Sequence, residues 1–106
     1  TTFVLSDDLA AYVGATVTLL GWLIAERIVG LKTGGCMKFV TFEDPAGVFE
    51  AVLFPAQYQQ YGHLLTTQGP YRISGEIQEE DESLSIIVSH LERVDLACSP
   101  PALYSS

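Results

Sequence analysis

The stretch Cys36-Met37-Lys38-Phe39-Val40-Thr41-Phe42-Glu43-Asp44-Pro45-Ala46-Gly47-Val48-Phe49-Glu50-Ala51-Val52-Leu53-Phe54 decides the architecture. At its centre, Asp44-Pro45-Ala46-Gly47 combines a Pro suited to the second position of a turn with a Gly at the exit. Apolar, β-prone residues flank that turn on both sides, so the stretch reads as two strands joined in a hairpin. Successive side chains of a strand point to opposite faces. Polar Glu50 therefore places Phe49, Ala51 and Leu53 on one inner face, and the three-residue spacing of Phe39 and Phe42 sends them to opposite faces. Core filling is the default reading for both rings.

Upstream, Val17 to Val29 is too long for an ordinary strand and carries Gly21 near its middle. A residue without a side chain there points to a strand that bends sharply, as at a barrel corner. Before it, Ser6 is an N-cap candidate, with Asp7 and Asp8 in the first turn of a short helix that Gly14 stops. Gly30 to Gly35 forms the turn into the second strand. Downstream, Pro55 at a first helical position and Tyr58, Tyr61 and Leu65 at helical spacing predict an amphipathic helix. Tyr71, Ile73, Gly75 and Ile77 then alternate with polar residues in a fourth strand. The run Glu79 to Ser83 turns the chain into a fifth strand reaching Val94.

The element order is strand, strand, strand, helix, strand, strand. An all-β chain with one helix between strands 3 and 4 has the order of the OB-fold, a five-stranded Greek-key barrel. An unrelated small barrel or an open sheet with one helix shares the pattern. The expected organisation is a lead-in with a short helix over residues 1–15, the OB-fold domain over 16–96, and a C-terminal linker or tail over 97–106, where Ser99-Pro100-Pro101 breaks regular structure.

Composition agrees with one packed domain, because 106 residues with 48% apolar content support a single core and no apolar run approaches the roughly 20 residues of a spanning helix. The opening Thr1-Thr2-Phe3, without an initiator Met, reads as part of something longer. Thirteen acidic and five basic residues give a net charge of -8, the opposite of a stand-alone nucleic-acid binder, and Glu79-Glu80-Asp81-Glu82 repels phosphate. Cys36 and Cys98 fit neither a zinc site nor a disulfide framework and read as small apolar residues in a reducing compartment.

The residues themselves carry a resemblance. Lys32-Thr33, the phrase from Met37 to Pro55, and Tyr58 and Tyr61 are similar to the OB-fold nucleic-acid-binding domain of bacterial DNA polymerase III alpha subunits. Leu19-Leu20-Gly21-Trp22-Leu23 and Ile73-Ser74-Gly75-Glu76-Ile77 resemble that family's first and fourth strands, so the likeness covers Val17 to Val94. A more distant likeness is to the anticodon-binding OB-fold of aminoacyl-tRNA synthetases, which usually carry an Arg where this chain has Glu43. The polymerase resemblance implies a non-catalytic accessory domain that binds or guides single-stranded template DNA, with weak affinity. Its partners would be other polymerase domains or replisome subunits, in the cytoplasm of a bacterium. Two departures matter: Gly34-Gly35-Cys36 stands where the family usually has a further basic residue, and the surface is acidic. The alternative is a protein-protein interaction module within the replisome with little DNA affinity, for which Trp22, Ile87 and the helix face are candidate surfaces.

An OB-fold binds nucleic acid on the outer face of strands two and three and their loops, with aromatics under bases and cations on phosphates. The candidates are Lys32 and Thr33 in the first turn, Lys38 and Phe39 on strand two, Arg27 at the end of strand one, and Arg72 on strand four. Catalytic, metal and cofactor sites are not expected. His63 and His90 neighbour no nucleophile, Glu43-Asp44 before Pro45 reads as a turn cap, and Gly30, Gly34 and Gly35 lack the following helix that a phosphate cradle uses.

Overall fold

The computed structural model describes residues 3–94. A 3-10 helix, Ser6–Tyr12, leads into strand β1, Thr16–Gly30; β2 is Cys36–Asp44 and β3 is Gly47–Leu53. Helix α1, Pro55–Tyr61, continues as a 3-10 turn over Gly62–Leu64, and β4, Tyr71–Glu80, and β5, Ser83–Arg93, complete the chain. The sheet closes on itself in the order β1-β2-β3-β5-β4, with β3 and β5 parallel and the other neighbours antiparallel. This is the OB-fold. The expected tail over 97–106, and Cys98 with it, lies outside the described residues.

Strand β1 serves two neighbours in succession. Thr16 to Gly21 pair with β4, and from Trp22 onward the partner is β2. The change falls at the glycine that the sequence marks as a bend. A Cβ on Gly21 would lie 2.9 Å from the Phe42 Cβ and 3.0 Å from the Phe49 ring, so its absence lets those aromatics fill the corner. The two rings stack at 5.6 Å between centroids, and Tyr71 meets Phe42 edge-on at 5.9 Å. Around them Leu19, Val40, Leu53, Ile73, Ile77 and Ile86 are fully buried, each contributing about 1.5–3 kcal/mol by leaving water. Gly75 is tighter still, because a Cβ there would sit 2.0 Å from the Ile87 carbonyl oxygen.

Asp44 holds the lower end of the barrel. Its carboxylate accepts from the backbone N–H groups of Ala46 and Gly47, both at 3.0 Å, which is the turn-capping role its place before Pro45 implies. It also accepts from the Ser6 N–H and hydroxyl, both at 2.7 Å. Ser6 is therefore not the expected N-cap. Leu5 occupies that position without a side-chain bond, because the Ser6 hydroxyl is committed to a buried carboxylate 38 positions away. At the other hairpin, Asp81 and Glu82 adopt φ of 53° and 66°, the left-handed pair that a two-residue hairpin with right-twisted strands requires.

Candidate functional site

Register lines up one row of side chains across the outer face of the barrel. Arg27 on β1 pairs with Phe39 on β2, Phe39 with Val52 on β3, Val52 with Ile87 on β5, and Ile87 with Glu76 on β4. Cross-strand partners share a face. The row thus runs from a guanidinium through an aromatic and two aliphatic side chains to a carboxylate, over roughly 19 Å at about 4.8 Å per strand. The Arg27 guanidinium lies 4.5 Å above the Phe39 ring centre. Phe39 is half-buried on the outer face beneath Arg27, so it is not the core filler assumed by default; Phe42, on the opposite face, takes the core role.

Beyond this pair the β1–β2 turn carries Lys32 and Thr33, both exposed. The turn is closed by Leu31 N–H to Gly35 O at 3.1 Å and Gly34 N–H to Leu31 O at 3.0 Å. Gly34 and Gly35 have φ of 95° and 85°, the left-handed region that favours glycine at both positions.

Two expected cations stand elsewhere. Lys38 follows the inward parity of Val40 and Phe42, leaving its side chain 8% exposed at the end of the barrel. There it pairs with Glu26 and lies 5.6 Å from the centre of the Tyr58 ring on α1. A charge held this way is not presented to a ligand on the outer face. The alternation that separates Phe39 from Phe42 also separates Lys38 from Phe39. Arg72 is outward-facing, but it pairs with Glu92 and leans toward the Phe3 ring, 5.9 Å from its centre. Its β1 partner is Leu20, seven positions before Arg27 or roughly 23 Å along the strand. Arg27, Phe39, Lys32 and Thr33 therefore form one group, and Arg72 lies apart from it.

The far half of the same face has different chemistry. Val52, Phe54 and Ile87 floor a depression of about 390 Å³ beside Phe39, with Glu50, Glu80 and Asp81 on its sides and no Lys or Arg in its lining. Sequence alternation alone does not find this surface, because it depends on the parallel register of β3 and β5, set by a crossover through α1 and β4. The signal available was the pairing of an acidic run with apolar Ile87 at an outward position.

A third surface is apolar. Trp22 is 42% exposed and borders a depression of about 600 Å³ with Phe3, Leu5, Leu20, Pro45 and Asp8. His63 is exposed on the helical turn after α1; His90 meets the Tyr61 hydroxyl through Nδ1 at 3.2 Å and Glu92 through Nε2 at 3.3 Å. Among the described residues, His, Cys, Asp and Glu nowhere gather in a group of three or more suited to a metal ion, and no helix is long and apolar enough to cross a membrane.

Comparison with known proteins follows the same lines. A family profile described as an OB-fold nucleic acid binding domain matches residues 17–94. An asparagine-tRNA ligase from Symbiobacterium thermophilum is 33% identical over 98 residues, covering 86% of this chain and 21% of the ligase. The DNA polymerase III subunit alpha of Pseudomonas fluorescens is 35% identical over 68 residues, covering 64% of this chain and 6% of the subunit. The chain thus spans a small part of each of these relatives. Among solved structures, a domain of replication protein A from Methanococcus maripaludis superposes with a TM-score of 0.72 at 14% identity, covering 89% of this chain and 97% of that domain, a likeness of fold. The polymerase resemblance carried by Met37 to Pro55 has its counterpart here, and so does the synthetase likeness, which extends over more of the chain than the more distant kinship expected of it.

Proposed function

Since the chain belongs to the OB-fold nucleic acid binding domain family, we propose that it acts as a non-catalytic accessory module of a replicative DNA polymerase, with residues 16–96 as the working domain. It contacts single-stranded template through the β1–β2 side of its outer face. The observation that carries this reading is the Arg27 guanidinium 4.5 Å over the centre of the Phe39 ring, next to the exposed Lys32–Thr33 turn. A guanidinium held over an aromatic ring can keep N–H groups free at its edge for a phosphate. Its open face accepts a stacked base, so one nucleotide can be gripped through both its charge and its ring. Lys32 supplies a second phosphate contact from the turn, and the Thr33 hydroxyl a hydrogen bond to the backbone.

Affinity on this reading is weak. Two phosphate contacts give a salt slope of about -1.4 for a single strand, and a net charge of -8 opposes any polyanion. Guidance of a strand already held by the rest of a polymerase needs no more than that. Both polymerase III alpha subunits and a tRNA ligase are similar to the chain, and the choice of DNA over tRNA rests on Glu43, where the synthetases usually carry Arg. A replication role would place the domain in the bacterial cytoplasm among other polymerase domains.

A fluorescence anisotropy titration of labelled fifteen-nucleotide oligothymidylate at two salt concentrations tests the reading. Salt-sensitive binding, weakened in Lys32→Glu and in Arg27→Glu, is the expected result. Binding absent at the lower salt, or indifferent to both substitutions, contradicts it.

A further inference from the structure

The half of the outer face that the nucleic-acid reading leaves unused has an apolar floor and an anionic border. Val52, Phe54 and Ile87 line the depression between β3, β5 and the β4–β5 hairpin. Phe54, 45% exposed, and Ile87 are shared with a second depression of about 370 Å³ on the other side, which also takes in Glu76, so the two run on as one trough along the seam where β3 and β5 diverge. The seam is short, with only Glu50 to Val52 paired to Ser85 to Ile87. Four carboxylates border the trough, from Glu50, Glu76, Glu80 and Asp81, and no Lys or Arg lines it. Among the described residues, none of the four carboxylates has an ion-pair partner.

We propose that this trough is a docking site for an extended protein segment that carries an aliphatic or aromatic anchor flanked by Lys or Arg. The commitment to a cationic peptide rests on charge. A nucleic acid strand laid here would bring phosphates past four unpaired carboxylates, within a Debye length of about 8 Å, where repulsion is not screened away. A basic peptide reverses that sign at every position. Its anchor covers Phe54 and Ile87, which water otherwise wets, and its cations meet side chains that need no displacement from existing partners. Arg27 at the opposite edge fixes the direction, because the cationic part of the segment must lie toward the Glu80–Asp81 end. Phe39 borders both regions, but the cations of the nucleic-acid reading, Arg27 and Lys32, take no part in the trough lining, and the carboxylates of the trough take no part in that reading.

Selection of twelve-residue peptides from a random displayed library on the intact chain tests it. Enriched peptides are expected to combine Lys or Arg with an apolar anchor. When the best of them is synthesised, it should shift the backbone amide resonances of Glu50, Val52 and Ile87, and bind the doubly reversed variant Glu80→Lys/Asp81→Lys about tenfold more weakly. Both changes are at exposed positions, and far-UV circular dichroism checks the variant; the resonance mapping on the unsubstituted chain does not depend on it. No enrichment, enrichment of peptides without cations, or shifts confined to Trp22 and its neighbours would overturn the proposal. So would shifts of the Glu50, Glu80 and Asp81 amides by oligothymidylate. Failure of oligonucleotide binding, with peptide binding intact, removes only the nucleic-acid reading.

Discussion

The two halves of the outer face share one cross-strand row and differ in almost everything a ligand feels. On the β1–β2 side, Arg27 covers Phe39 and the turn beyond offers Lys32. On the β3–β5–β4 side, Ile87 pairs with Glu76, and the hairpin that overhangs it is Glu80-Asp81-Glu82-Ser83. Both halves belong to the same closed sheet, so the fold alone does not say which one meets a phosphate. The difference in charge between them comes from local sequence in two hairpins. The pair Lys38 and Phe39 repeats the lesson within one strand: neighbours in sequence, they face opposite ways, one paired with Glu26 at the barrel end and one beneath Arg27.

The comparison fails altogether if the frame that aligns the row is lost. Gly75→Ala forces a Cβ against the Ile87 carbonyl, where a separation of 2.0 Å leaves no room and the obstacle is backbone. It should cost about 3 kcal/mol or more, read as a lower urea midpoint with the slope preserved. Within an intact frame, Arg27→Glu should lower oligonucleotide affinity about tenfold and reduce the magnitude of its salt slope by about 0.7, as an anisotropy titration at several salt concentrations would show. Glu80→Lys/Asp81→Lys acts from the other half. It should raise affinity for the same oligonucleotide about threefold at low salt, with the gain vanishing at high salt. The smallest effect is the sharpest test of facing: Lys38→Met should leave oligonucleotide affinity unchanged in the same titration and shift stability by less than about 1 kcal/mol in urea unfolding. A buried pair replaced on its cationic side by a well-packed apolar chain loses little when the carboxylate, here that of Glu26, stays 43% exposed.

Much of the barrel was legible because its signals are local. Gly21 marked the corner, Asp44-Pro45-Ala46-Gly47 the hairpin, Pro55 the helix start, and Tyr71 to Ile77 the inner face of β4, and each sits where its chemistry implies. What escaped is non-local. Ser6 was drawn to Asp44 by a partner far along the chain. The seating of Lys38 depended on Glu26 and Tyr58, which come from β1 and α1. The pairing of Arg72 with Glu92 required the β4–β5 register. Of the candidate cations, those in the first turn and at the end of β1 remained on one surface because a single hairpin carries them both. The acidic half of the face was visible as a charged run, but its closeness to Ile87 and Val52 follows from a parallel pairing that no alternation pattern encodes.

The most direct test of the account is a map of backbone amide shifts as oligothymidylate is titrated into the intact chain at low salt. Shifts centred on Arg27, Lys32, Thr33 and Phe39, with the resonances of Glu50, Glu80 and Asp81 still, are the predicted result. Shifts centred on the β3–β5 trough and the Glu80–Ser83 hairpin would contradict the division of the face on which the account rests.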